Sequence, residues 1–233
     1  KGMQMAIKKI SKTIKNMTWV TIGQVVVFIM GIISSVAFAR FMTKKSLGQY
    51  QLFLSIFSIF SITSLGGFNT AITRAVARGL DGNYKESMRT RIVYSLIGSL
   101  GLLLIGIYYY FFLKNKLIGK SLLISVPFFP FAYSFNSWKA FFQGKERFKL
   151  LTMYSILQVI ATTLLMAGII LLFPNKVLVL VFAYLILLSC FNFFFYKKSL
   201  GYIENCHKEQ NFTQYVFFLS KMNIFSTLLN NMD

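Results

Sequence analysis

Three groups of side chains have the types and spacing to do chemistry. The first is Asn69, Thr70, Thr73, Arg74 and Arg78. On a helix, Thr70, Arg74 and Arg78 recur every four residues and share a face, with Asn69 and Thr73 beside it. Planar guanidinium groups donate paired hydrogen bonds to phosphate oxygens, so this spacing could form a phosphate or pyrophosphate site. The plainer alternative is that these arginines anchor a helix end to lipid headgroups. That alternative fits Arg78 better, both roles stand for Arg74, and Arg40 reads first as a flanking anchor. The second group is Asp233 with Asn230 and Asn231, set in the apolar run Met222–Met232. A carboxylate at membrane depth is costly and is usually functional, here by pairing with an arginine or binding a coupling cation. The alternative places Asp233 at an interface. The third group, Glu204, His207 and Glu209, has acid and base types but reads more simply as a solvated loop. No cluster has metal-ligand spacing, the two cysteines (Cys190 and Cys206) offer no disulfide framework, and no cofactor is expected.

The elements that must position these residues are long and apolar. Six stretches free of charged residues, 16–39, 46–73, 92–113, 121–138, 150–175 and 177–196, are 24, 28, 22, 18, 26 and 20 residues long. A helix needs about 20 apolar residues to cross a bilayer core. Backbone groups in hydrocarbon must be satisfied internally, so continuous segments of this kind are helices. The expected fold class is all-α, a polytopic transmembrane bundle. Pro127 and Pro130 remove backbone donors in the fourth span and should kink it. Gly66-Gly67 allows close helix approach or a hinge in the second. Gln24, Asn136 and Gln158 are expected to form helix–helix hydrogen bonds.

Hydrophobic residues make up 56% of the 233, and 25 basic against 6 acidic residues give a formal charge of +19. The basic residues fall between the apolar stretches, where they anchor helices to headgroups, so no nucleic-acid partner is expected. With the amino terminus inside, 17 lysines and arginines fall in inner segments and 7 in outer loops, which favours a cytoplasmic amino terminus. Arg74 to Arg91 and Lys139 to Lys149 count as inner loops in that scheme. Residues 1–15 read as a basic amphipathic cytoplasmic segment, 16–200 as a six-helix lobe, and 201–233 as a cytoplasmic loop and the start of a seventh helix. The ends of the chain are expected to be internal to a longer transporter-sized protein. The loops are short and leave no room for a soluble catalytic domain, so no enzymatic activity is expected.

Several junctions resemble one family. Ala39-Arg40-Phe41-Met42-Thr43-Lys44-Lys45-Ser46-Leu47-Gly48-Gln49-Tyr50 is similar to the junction between the first two helices of bacterial polysaccharide flippases. Ser64 to Arg74, the loop Phe142-Gln143-Gly144-Lys145-Glu146-Arg147-Phe148 and Asn231-Met232-Asp233 are similar to further segments of the same family. That family is the Wzx-type polysaccharide transporter branch of the multidrug/oligosaccharidyl-lipid/polysaccharide exporter superfamily. The resemblance covers essentially the whole chain. It implies two six-helix lobes around a central cavity, of which this chain would hold the first and the start of the second.

The implied activity is flipping of undecaprenyl-pyrophosphate-linked oligosaccharide across the bacterial inner membrane for surface polysaccharide biosynthesis. The implied partners are that polyprenyl-pyrophosphate-linked oligosaccharide, membrane lipids and other polysaccharide-assembly proteins. Arg40, Asn69, Arg74 and Arg78 become substrate-binding candidates and Asp233 an ion-coupling candidate. A cation-coupled multidrug exporter and a peptidoglycan lipid-precursor flippase of the same superfamily are the alternatives. The first six apolar stretches hold no Asp or Glu, which disfavours a cationic drug as cargo. A membrane glycosyl- or acyltransferase would depend on the Glu204, His207 and Glu209 group.

Overall fold

The computed structural model describes residues 2–64, 67–205, 207 and 212–219, with side chains from residue 14 onward. Every regular element among them is helical. In chain order these are α1 (Gly2–Phe41), α2 (Lys44–Phe60), α3 (Gly67–Ala77), α4 (Gly82–Phe111), α5 (Lys116–Ser134), α6 (Trp138–Gly144), α7 (Phe148–Leu172) and α8 (Val177–Leu200). Residues 212–219 form a further helical segment. Five segments are long and apolar enough to span a membrane: Ile14–Phe41, Gly82–Phe111, Lys116–Gly144, Phe148–Leu172 and Val177–Leu200. A sixth is α2 with α3, bent by 48° where the Gly66-Gly67 hinge was expected. The expected polytopic all-α bundle is what the chain forms.

The expected boundaries need correction at several points. The second span is two helices rather than one, with a 3₁₀ turn at Ser61–Ser64 before the bend. The third begins at Gly82, ten residues before the charge-free stretch, so Lys85, Arg89 and Arg91 are helical rather than in a loop. The fourth runs from Lys116 to Gly144, through the expected inner-loop residue Lys139. The fifth, α7, ends at Leu172, and Asn175 stands in the turn before α8. The sixth continues to Leu200 and carries Lys197 and Lys198 in its last turn. A scan for uncharged stretches stops at the first charge. Long basic side chains continue a helix while carrying their heads away from hydrocarbon, so such a scan undershoots the helix ends.

α5 continues through Pro127 and Pro130, and the α-helical geometry gives way just after them, at the 3₁₀ turn Phe135–Ser137. Three residues at three per turn advance the chain about 60° beyond α-helical phase. α6 therefore presents its residues in a rotated register relative to α5.

In lipid, association depends on close packing rather than on the hydrophobic effect. α4 accordingly meets α5 along a line of small residues, Ser95, Gly98, Ser99 and Gly106, all buried. Ser134 of α5 donates to Ser95 at 3.1 Å. Large aliphatic and aromatic side chains cover the outside, among them Phe28, Leu104 and Leu172, as expected of a lipid-facing surface. α1 docks mainly on α7, where Thr152 donates to the Trp19 carbonyl at 3.2 Å.

The turns collect at two ends. Trp19 of α1 lies under Lys149 at 5.6 Å, at the end that also holds the α3–α4 turn, the α6–α7 turn and the loop after α8. At the other end, the Asn175 side chain accepts from the Thr43 amide at 2.8 Å and joins the α1–α2 and α7–α8 turns.

α3 and α6 approach closely at a glycine. A Cβ on Gly144 would lie 2.7 Å from the Thr73 carbonyl and 2.8 Å from Val76 Cβ. Thr73 also donates to the Ala140 carbonyl at 3.2 Å. Gly144→Val is expected to lower stability by about 1–3 kcal/mol through overpacking. Thermal unfolding in detergent should show it as a lower midpoint than that of an exposed control such as Gly48→Ala, which meets nothing within 4 Å.

Candidate functional site

A cavity of about 770 Å³ opens between α1, α2, α7 and α8, with α6 contributing one residue. Its lining combines aliphatic and aromatic groups with Ser34 and Ser35 of α1 and Gln51 of α2. Gln158, Thr162 and Thr163 of α7 complete the polar wall. The residue from α6 is Lys139, the one charged side chain among the described lining residues. It keeps accessible surface because it faces the cavity, whereas Trp138 and Ala140 on either side are buried in the helix packing. Its ammonium stands 5.4 Å from the Trp138 ring centroid, within cation–π range.

Two buried amides and an indole fix that wall. Trp138 Nε1 and Gln158 Nε2 both donate to Asn192 Oδ1 at 3.3 Å, and Asn192 Nδ2 donates to the Ala132 carbonyl at 2.7 Å. Ala132 lies three residues before the 3₁₀ turn, so a side chain of α8 supplies a donor where the α ladder is interrupted. The helix–helix role expected for Gln158 is what the structure shows. Asn136 instead has a buried Oδ1 without a partner, and Gln24 is exposed on α1.

None of the substrate-binding candidates Arg40, Asn69, Arg74 and Arg78 lines this cavity. Arg40 is exposed at the last turn of α1. Arg74 is exposed on α3 and its Nη1 donates to the Tyr215 hydroxyl on the 212–219 segment. Arg78 is exposed in the turn after α3. Asn69 accepts from Arg91 Nη1 at 2.8 Å. Asp233, Asn230 and Asn231 lie outside the described residues.

The structure thus joins Asn69 to Arg91 and Arg74 to Tyr215, and leaves Arg40 apart from both. Sequence reasoning missed two residues. Arg91, only 3% exposed, is buried on α4 with its Nε unpartnered, although its charge had marked it as a loop boundary. Lys139 was counted among inner-loop charges. No local signal places it, because its direction follows from the 3₁₀ turn at Phe135–Ser137.

The third group, around Glu204, belongs to an ionic cluster. Asp81, fully buried, pairs with Lys145 at 2.7 Å and accepts from the Glu204 amide at 3.0 Å. Lys145 also reaches Glu204 at 3.1 Å, and Arg147 reaches it at 3.5 Å while stacking over Tyr202 at 4.6 Å. The His207 carbonyl accepts from the Gly82 amide at 3.1 Å. Three chain turns are thereby tied together at the end where α3, α6 and α8 finish. Glu209 lies outside the described residues. No group of three or more potential metal ligands occurs among the described residues.

A bundle of long apolar helices, with a cavity between them that carries several polar groups and one charge, defines a multi-pass α-helical membrane protein. The chain belongs to the polysaccharide biosynthesis protein family, whose model matches residues 13–231. The resemblance drawn from the helix junctions therefore holds at family level over nearly the whole length. No curated protein and no solved structure gives a significant match.

Burial opposes the Lys145 charge, but its hydrogen bonds and attraction to Asp81 and Glu204 outweigh that and raise its pKa above 10.5. A raised lysine contributes stability below its unfolded pKa and loses it as pH climbs through the folded value. The Lys145 contribution should accordingly be constant between about pH 7 and 9 and fade only above about 10.5. Lys145→Met should cost about 3 kcal/mol by leaving the Asp81 carboxylate buried without its cation. Thermal melts across pH would check both, because wild type and variant should converge only in strong alkali.

Proposed function

We propose that this protein is a flippase that carries polyprenyl-pyrophosphate-linked oligosaccharide repeat units across the bacterial plasma membrane for surface polysaccharide assembly. The observation that carries the reading is the cavity. Within a polysaccharide biosynthesis family, it places hydroxyls, amides and one ammonium, with no carboxylate among the described lining residues, inside a bundle of spanning helices. Hydroxyls and amides match sugar hydroxyls, and a cationic compartment matches an anionic head.

A diphosphate head bearing sugars cannot cross about 30 Å of hydrocarbon unaided. A compartment with a polar wall, open toward lipid, would shelter it while the prenyl tail stays among acyl chains. The protein in this reading moves its cargo without changing bonds and is not an enzyme. Its amino terminus, with the α3–α4 and α6–α7 turns and the loop after α8, faces the cytoplasm, as the lysine and arginine bias favours. Other polysaccharide-assembly proteins would receive the flipped unit.

Deleting the gene should strand lipid-linked repeat units in the cytoplasmic leaflet and abolish the surface glycan. Unchanged glycan and leaflet distribution, with altered drug tolerance, would overturn the reading in favour of drug export. Arg74→Ala should reduce export several-fold with normal membrane insertion. If Arg74 acts through its contact with the 212–219 segment, Tyr215→Phe should reproduce much of that loss. Wild-type export in the arginine variant would return Arg74 to a headgroup anchor.

A further inference from the structure

We propose that Lys139 is the phosphate-binding residue of the cavity, the group that receives the phosphate oxygens of an amphiphilic cargo. The identity of that cargo rests on the flippase reading; the phosphate chemistry does not. Lys139 is exposed toward the cavity it lines, and an ammonium along a membrane-spanning segment is costly unless an opposite charge or water meets it. No described residue lining the cavity is acidic, and the Lys139 ammonium stands over the Trp138 ring. A cation–π contact leaves the three ammonium donors largely unspent. The bundle's other inward-facing cation is handled differently, because Arg91 is buried against Asn69 and away from the cavity lining.

Position supports the same assignment. Lys139 lies five residues before the end of the span at Gly144, about 7.5 Å along a helix. That depth is where the head of an amphiphile sits when its chain lies in the bilayer. The volume, about 770 Å³, exceeds what a phosphate or diphosphate fills, leaving the Ser, Thr and Gln wall for the groups attached to it. The 3₁₀ turn at Phe135–Ser137 and the Asn192 node set the direction of α6 at this point, so the ammonium is held by the fold rather than trailing from a loop.

The chain has two tryptophans, Trp19 and Trp138, which gives a direct readout. In full-chain protein carrying Trp19→Phe, in nanodiscs of phosphatidylcholine, titration with farnesyl pyrophosphate should change Trp138 emission saturably. Lys139→Gln should weaken that binding at least tenfold, and Lys139→Arg should stay within about threefold of wild type. Inorganic pyrophosphate competing at similar concentrations would identify a free phosphate anion as sufficient. A phospholipid that co-purifies with wild type and is lost from Lys139→Gln would identify a resident headgroup as the source.

Farnesyl pyrophosphate binding with no response from Trp138, or with equal affinity in Lys139→Gln, would overturn the proposal. The emission test needs no change at position 139, so it holds even if that variant folds poorly. Lys139-dependent binding together with a normal leaflet distribution in the deletion strain would sink the flippase reading and leave this assignment standing. The reverse pattern would do the opposite.

Discussion

The Asn192 amide is the constraint around which the cavity wall is arranged. Its oxygen accepts from the Trp138 indole and the Gln158 amide, and its nitrogen donates to the Ala132 carbonyl. An amide oxygen has two lone pairs, so two donors use its full acceptor capacity. Each such bond between membrane helices contributes only about 0.6–1.7 kcal/mol. The consequence is geometric more than energetic. One side chain of α8 fixes the Ala132 carbonyl before the 3₁₀ turn, the indole after it and the α7 residue that lines the cavity. Moving any of the three would leave a polar group unpaired in hydrocarbon.

The bundle treats its cations in three ways, and the difference separates structure from chemistry. Lys145 and Arg147 are bound to Asp81 and Glu204, where they fasten turns. Arg91 is buried against an amide, where it holds α4 to the first turn of α3 just past the bend. Lys139 stands over the Trp138 ring and faces open volume with no carboxylate among the described lining residues. A sequence shows all four as equivalent positive charges. Only their surroundings divide fasteners from a group free to meet a ligand.

The polytopic helical bundle was legible because the requirement behind it is local: about 20 apolar residues in a row can satisfy their backbone in lipid only as a helix. The bend in the second span was only half legible, because a Gly-Gly pair allows either close helix approach or a hinge. The candidate site was not legible. Lys139 looks like a loop residue because charge ends an apolar stretch, and nothing local reveals that a 3₁₀ turn rotates it toward a cavity. Arg91 was hidden by the same rule, since its partner Asn69 lies 22 residues away on another helix. Of the face expected from Thr70, Arg74 and Arg78, the first two lie on α3 and Arg78 in the turn after it, and a shared face does not say what stands opposite it. For Arg74 that is Tyr215, far along the chain.

The two arginine and lysine loci are not independent, because α3 and α6 are packed too closely to move separately. Thr73 bonds the Ala140 carbonyl, and Gly144 leaves no room for even a methyl group against Thr73 and Val76. Arg74 follows Thr73 on α3, and Lys139 precedes Ala140 on α6. Arg74 therefore reaches Tyr215 of the 212–219 segment from the same helix whose Thr73 meets α6. The Asp81–Lys145–Glu204 cluster joins the turns at the far ends of α3 and α6 to the loop after α8. A cavity-lining charge on α6 and a contact to a further helical segment on α3 thus lie within a few residues of a single glycine, Gly144, whose missing side chain lets the two helices meet.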